Sequence, residues 1–210
     1  MMRWTVVIPV KALPLAKSRL VDATTDDAAH ARLVAALRAD TVSAVRATPE
    51  VARILLVVDE ANADTADDTI VLEQIEPGLN AAAAQGAEHA AREWPADGIA
   101  VLVGDLPALR PDELSATLAA AERHERGFVP DRSGEGTTML TARPGLEVMP
   151  QFGPDSAARH ASAAVALPAG PGLRQDVDTA HDLRDAVALG VGPATLEAVA
   201  ATSLVHLGGR

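Results

Sequence analysis

Residues 99–109 read IAVLVGDLPAL, and Pro111 and Asp112 soon afterwards open a helical pattern. The first six of these residues are apolar or glycine without the every-second-position alternation of a half-exposed strand. Such a run suits a strand covered on both faces by helices. Its Gly-Asp ending places the Asp105 carboxylate at the carboxyl edge of the sheet, where open α/β sheets collect their ligands. Gly104 allows a ligand or another backbone to come close. A turn or helix cap is the structural alternative for Asp105, but Pro111 and Asp112 already supply the start of the next helix.

Outward from this strand the same alternation repeats. Apolar runs predict strands over 4–10, 54–58, 99–104, 128–129, 138–141 and 165–167. Helical patterns fill 27–47, 79–94, 112–124, 155–163, 179–189 and 193–200. Strands alternating with helices predict a mostly parallel α/β sheet. With no internal repeat and no linker-like run, residues 1–210 form a single domain. At this length a chain buries about 70% of the surface exposed on unfolding.

Composition narrows the function. The net charge of −11 opposes general binding to nucleic acid or to an anionic membrane. Aromatic residues are 2% of the chain, which leaves little for base stacking. The absence of cysteine excludes disulfides, thiolate zinc sites and cysteine nucleophiles. No signal-peptide pattern opens the sequence and no segment reaches the roughly 20 apolar residues of a membrane span, so a cytoplasmic location is expected. The serine-hydrolase elbow GxSxG and the zinc pair HExxH are missing. The histidines are scattered and read as surface or packing residues.

Four further stretches carry chemistry. VIPVKALPLAKSRL, residues 7–20, follows the first strand and holds Lys11, Lys17 and Arg19 with no acid, inside an acidic protein. It holds both lysines of a chain with 16 arginines and suits a polyphosphate, although a solvated basic loop would read alike. It is neither the dinucleotide fingerprint nor the Walker phosphate loop. DRSGEGTTML, residues 131–140, offers backbone N–H groups and the hydroxyls of its two threonines, Thr137 and Thr138, to an anion, as many plain turns also would. FGPDSAARH, residues 152–160, places Gly153 before Pro154 at an expected first helical position, with Ser156 in the first turn and Arg159 a turn later. A helix start with free N–H groups receives phosphate, whereas Asp155 would repel it and a structural cap is the alternative. RQDVDTAHDL, residues 174–183, carries Asp176 and Asp178 on one side of an extended segment, and Thr179 positioned to cap the next helix. With Asp105 they would make an all-oxygen site, which favours Mg²⁺, although a solvated Asp pair that caps a helix would read alike.

PVKALPLAKSRL, GDLPAL, GEGTT, FGPDS and DVDT, in this order over essentially the whole chain, resemble the guanylyltransferase family of coenzyme F-420 biosynthesis. That family acts on phosphoenolpyruvate or 2-phospho-L-lactate. The resemblance implies a Rossmann-like, GT-A-like nucleotidyltransferase with a mostly parallel mixed sheet flanked by helices. It implies Mg²⁺ on Asp105, Asp176 and Asp178, and the phosphorylated acid at Thr137, Gly153 and Ser156. The triphosphate of GTP would lie at Lys11, Lys17 and Arg19, and Asn80 in the PGLNAA stretch would meet the nucleoside. The implied product is a guanosine diphosphate ester, released with pyrophosphate and used by a downstream transferase of the F-420 pathway. The Ala- and Arg-rich, Lys-poor composition suits a GC-rich genome, and the resemblance leans towards the actinobacterial branch, in which the family prefers phosphoenolpyruvate. A molybdopterin or sugar-phosphate nucleotidyltransferase, a GT-A glycosyltransferase and a non-catalytic nucleotide-binding module are the alternatives.

Overall fold

A computed structural model describes residues 2–10, 20, 26–59 and 69–201. Its described strands form one seven-stranded sheet in the order β3-β2-β1-β4-β6-β5-β7. These are β1 (Trp4–Val10), β2 (Val51–Val58), β3 (Ile70–Glu73), β4 (Gly98–Leu102), β5 (Arg126–Pro130), β6 (Thr137–Ala142) and β7 (Val165–Ala166). β1 pairs in parallel with β2 and β4, and β5 with β7, while β6 runs antiparallel between β4 and β5. The expected mostly parallel mixed sheet is therefore present. The helices are α1 (Asp27–Arg46), α2 (Leu79–Glu93), α3 (Pro111–Ala121), α4 (Ser156–His160), α5 (Pro171–Arg174), α6 (Ala180–Leu189) and α7 (Pro193–Ala201).

Two apolar layers explain why the central strands are apolar throughout. Val6, Ile8, Leu56, Leu102 and Met139 face one side, against Val45 of α1 and Leu114 and Leu118 of α3. Val7, Leu55, Val101 and Leu140 face the other, against Ala83, Ala87 and Ala90 of α2 and Ala157 of α4. The small alanines let α2 lie close to the sheet, and Gly86 leaves no room at all: a Cβ there would sit 2.4 Å from Val7 Cγ1.

Local chemistry fixes the helix ends. Asp26 caps α1 by accepting the Ala29 N–H at 2.7 Å. Thr179 caps α6 as expected, in a reciprocal box with Asp182. The Asp182 carboxylate accepts the N–H of Thr179 at 2.8 Å and also that of Asp178 at 3.2 Å. The cap thereby orients the segment that carries Asp178. The buried Asp40 carboxylate of α1 accepts the Ala194 and Thr195 N–H groups at the start of α7, at 3.1 and 2.8 Å.

Three elements differ from expectation, the first being α5, a four-residue helix outside the expected ones. β3 lies outside the expected strands, because it is a four-residue edge strand with alternating half-buried and exposed residues. α4 begins at Ser156, with Asp155 as its N-cap in the left-handed region at φ 54°, so Pro154 lies outside the helix and not at its first position.

Candidate active site

Pro9 and Val10 at the end of β1 and Val103, Gly104 and Asp105 after β4 line a cleft of about 270 Å³ at the carboxyl edge of the sheet. α1 adds Arg38, and the segment before α6 adds Asp178. A backbone bond from the Val177 N–H to the Asp105 carbonyl, 3.1 Å long, ties these two acidic segments together. Val177 itself is fully buried, so Asp176 and Asp178 on either side of it are held off the core. Asp178 reaches the cleft, whereas Asp176 is not among its lining residues. Among the described residues no three acidic or histidine side chains cluster as a metal cage would require. Two carboxylates with no histidine or cysteine beside them do fit Mg²⁺, which takes one or two protein carboxylates and fills its shell with phosphate and water.

The second half of the site starts from a bulge in β6. Met139 pairs with Val129 and Thr137 with Pro130, so Thr138 is an extra residue. Regular alternation would put Thr137 on the same face as Met139. The bulge instead turns Thr137 to the α4 side while the Thr138 hydroxyl donates to the Leu173 carbonyl at 2.7 Å. Because β6 is antiparallel to β4, and the Val103 N–H bonds the Thr138 carbonyl at 3.0 Å, the start of β6 lies beside Gly104 and Asp105. Thr137 Oγ1 is 2.8 Å from His160 Nδ1 and 3.2 Å from Ser156 Oγ. Thr137 and Ser156, far apart in sequence, are thus brought together as the resemblance implies.

Several expected anion donors are occupied. The Gly134 and Glu135 N–H groups both bond Asp131 Oδ1, at 2.7 and 3.1 Å, so the GEGTT loop closes on its own carboxylate and is no open cradle. At the start of α4 the Ser156 N–H bonds Gly153 O and the Ala157 N–H bonds Glu135 O, at 3.1 and 3.0 Å. Two of the N–H groups expected to be free at that helix start are therefore spent. Gly153 holds φ 125° beside Arg159, which straps the loop by bonds to the carbonyls of Gln151 and Pro154. Asn80 faces the same loop: its carboxamide pairs both ways with the Phe152 backbone, at 2.7 and 3.1 Å. Its visible role is to join α2 to the FGPDS segment. Lys11, Lys17 and Arg19 lie outside the described residues.

Two residues stand outside what the sequence patterns single out. Arg38 shares the helical face of Val34 and Leu37, and that spacing is the signal that would point it into the cleft. His160, 3% exposed, packs edge-on against Phe152 and accepts the Gln151 N–H at Nε2, 2.9 Å away. Burial, with the nearby Arg159 charge, lowers its pKa from 6.5 to about 4. A base with a depressed folded pKa contributes stability that is complete above its unfolded pKa and fades as pH falls towards the folded one. Between pH 6.5 and 4 His160 should therefore cost the fold on the order of 3 kcal/mol. Urea midpoints across that range should fall more steeply for the wild type than for His160→Asn; parallel profiles would refute the assignment.

Residues 4–170 match the family described as "Guanylyl transferase CofC like". The phosphoenolpyruvate guanylyltransferase of Streptomyces coelicolor is 50% identical over 211 residues, covering 97% of this chain and 99% of the relative. Among solved structures, a protein assigned as a nucleotide-diphospho-sugar transferase from Desulfovibrio desulfuricans G20 superposes with a TM-score of 0.73 at 15% identity, covering 98% of each chain. Rv0371c from Mycobacterium tuberculosis H37Rv, solved as a manganese complex, gives a TM-score of 0.55 at 20% identity over 89% of this chain and 98% of its own. These two likenesses concern the fold alone. The sequence match, spanning the cleft, the β6 bulge and the α4 segment alike, shows that this chain belongs to the CofC-like guanylyl transferase family and is a nucleotidyltransferase.

Proposed function

We propose that this protein transfers the guanylyl group of GTP to the phosphate of phosphoenolpyruvate, in coenzyme F-420 biosynthesis. The observation that carries the reading is the adjacency of the Asp105–Asp178 cleft to the Thr137–Ser156 hydroxyl pair, one suited to a nucleoside triphosphate and the other to a small anion. The Streptomyces coelicolor relative, named for phosphoenolpyruvate, favours that acid over 2-phospho-L-lactate.

The acceptor phosphate is already ionised at neutral pH, so its oxygen attacks the α-phosphorus without a general base. The bond between the α-phosphorus and the β-bridging oxygen breaks, and pyrophosphate leaves. The protein's task is to bring two anions together and offset their charge. Asp105 and Asp178 would hold Mg²⁺, which supplies charge neutralisation at the reacting phosphates. Arg38 lines the same cleft, and Lys11, Lys17 and Arg19, which follow β1 in the sequence, would meet the departing pyrophosphate. The Thr137–Ser156 pair, with Gly153 nearby, receives the acid. A downstream transferase would consume the ester. No described helix is long and apolar enough to cross a membrane, in keeping with a cytoplasmic enzyme.

Mass spectrometry of products from GTP with each acid, separately and mixed, tests the reading; absence of a guanylylated acid in both reactions would overturn it. Ser156→Ala should raise the apparent KM for the acid about tenfold, the effect of one hydrogen bond serving a charged group. The KM for GTP should change far less. Equal effects on both substrates would return Ser156 to a purely structural role.

A further inference from the structure

The hydrogen-bond polarity of the Thr137–Ser156 pair is decided outside the pair. A backbone N–H can only donate, so the Gln151 N–H makes His160 Nε2 an acceptor. The ring is neutral, since its pKa lies near 4. Its one hydrogen must then be on Nδ1, where it donates to Thr137 Oγ1 across 2.8 Å. Thr137 and Ser156 share a single bond between their hydroxyls. Of their two hydroxyl hydrogens, that bond uses one, and the ring uses neither. One hydrogen is left to donate outward. With the opposite tautomer Nδ1 would accept, Thr137 would spend its hydrogen on the ring, and the subsite would lose its donor.

We propose that His160, held in its Nδ1–H form by the Gln151 backbone, is a positioning residue that keeps a hydroxyl hydrogen of the Thr137–Ser156 pair free for an anionic oxygen of the acceptor acid. This rests on the functional reading above. It gives the β6 bulge a purpose, because only the bulged register presents Thr137 to the ring. It also gives the Asn80–Phe152 pairing and the Arg159 strap a role, since both fix the segment whose Gln151 N–H sets the tautomer.

Two variants separate the ends of the ring. The carboxamide N–H₂ of His160→Asn stands where Nδ1 was and still donates to Thr137, but it cannot reach Gln151. The longer carboxamide of His160→Gln satisfies Gln151 and offers nothing at the Nδ1 position. The proposal expects His160→Asn to keep the KM for phosphoenolpyruvate within about threefold of wild type, and His160→Gln to raise it by about tenfold, with the KM for GTP nearly unchanged in both. In a Thr137→Val background His160→Gln should add almost nothing, because its effect passes through the missing hydroxyl. Equal acid constants in the two variants, or parallel changes for acid and GTP, would overturn it. Imidazole ¹⁵N shifts of the wild type at neutral pH read the tautomer directly and need no variant to fold: a protonated Nδ1 with bare Nε2 supports the proposal, and the reverse sinks it. A wild type that forms no pyrophosphate from GTP and either acid would refute the functional reading instead, and the tautomer would still be decided by the ¹⁵N shifts.

Discussion

Asp105→Asn should lower turnover by on the order of 10²- to 10³-fold, the scale seen when a group stabilising transition-state charge is removed, while the melting temperature stays close to wild type. Asparagine keeps the volume and planarity of the side chain and deletes only its charge. Asp105 lines the cleft from the end of β4, and Asp178 enters from the other side on a segment bonded to Asp105's own carbonyl. Asp178→Asn should therefore behave alike. Asp176→Asn should lose much less, because Asp176 does not line the cleft and belongs to the acidic set by sequence alone. Pyrophosphate release at saturating GTP and acid, followed across a magnesium titration, checks all three. Near-normal activity of Asp105→Asn at ordinary magnesium would remove it from the site, and a loss in Asp176→Asn as deep as the other two would restore the three-carboxylate arrangement.

Gly172→Ala should destabilise the fold by more than about 3 kcal/mol, a large effect for one methyl group. An added Cβ would sit 2.1 Å from the carbonyl oxygen of Ala108 and 2.6 Å from Glu113 Oε2. The nearer obstacle is backbone, which cannot swing aside as a side chain can. For a domain of this size such a cost corresponds to a fall of roughly 6–12 °C in melting temperature. Gly145→Ala is the control: its φ of 78° strains an L-residue but nothing lies within 4 Å, so about 1–2 kcal/mol is expected. If Gly172→Ala melts no lower than Gly145→Ala, close approach is not what holds residue 172 to glycine. The site should also respond, since the contact joins the GDLPAL loop to the stretch leading into Asp178. Turnover of Gly172→Ala should be reduced even at temperatures where it remains folded.

The parts legible in the sequence are those governed by local pattern. β1 and the start of α1 fall where the apolar run and the helical pattern from residue 27 put them, and the Gly-Asp pair after β4 lands in the cleft because strand direction alone dictates it. Asp178 and the Thr179 cap are readable for the same reason. What stays hidden depends on partners distant in the chain. The antiparallel course of β6 and its extra residue are set by neighbouring strands, and no property of TTMLTA announces them. The Ala157 N–H looks free in sequence because the Glu135 carbonyl that takes it comes near only after folding, whereas those of Gly134, Glu135 and Ser156 close local turns on Asp131 and Gly153 that the glycine-rich pattern does not announce. A single histidine in FGPDSAARH gives no sign that both ring nitrogens will be bonded and buried.

The reversed strand β6 also bears on how such an enzyme changes its acceptor. Its neighbours deliver their ends to the cleft, whereas β6 delivers its beginning, so the acid-facing residues hang on one continuous excursion from β5 through β6 to α4. On the proposed assignment, the donor side is built from the earlier strands and the later Asp178 segment, and joins that excursion through the β4–β6 ladder, the Asn80–Phe152 bonds and the bonds of Arg132 to Gln175 and Asp185. Where those joints are kept, residues 131–160 can diverge as a block, or be exchanged between relatives as one cassette, with the donor side held as before. Lineages that handle different phosphorylated acids should carry their differences there.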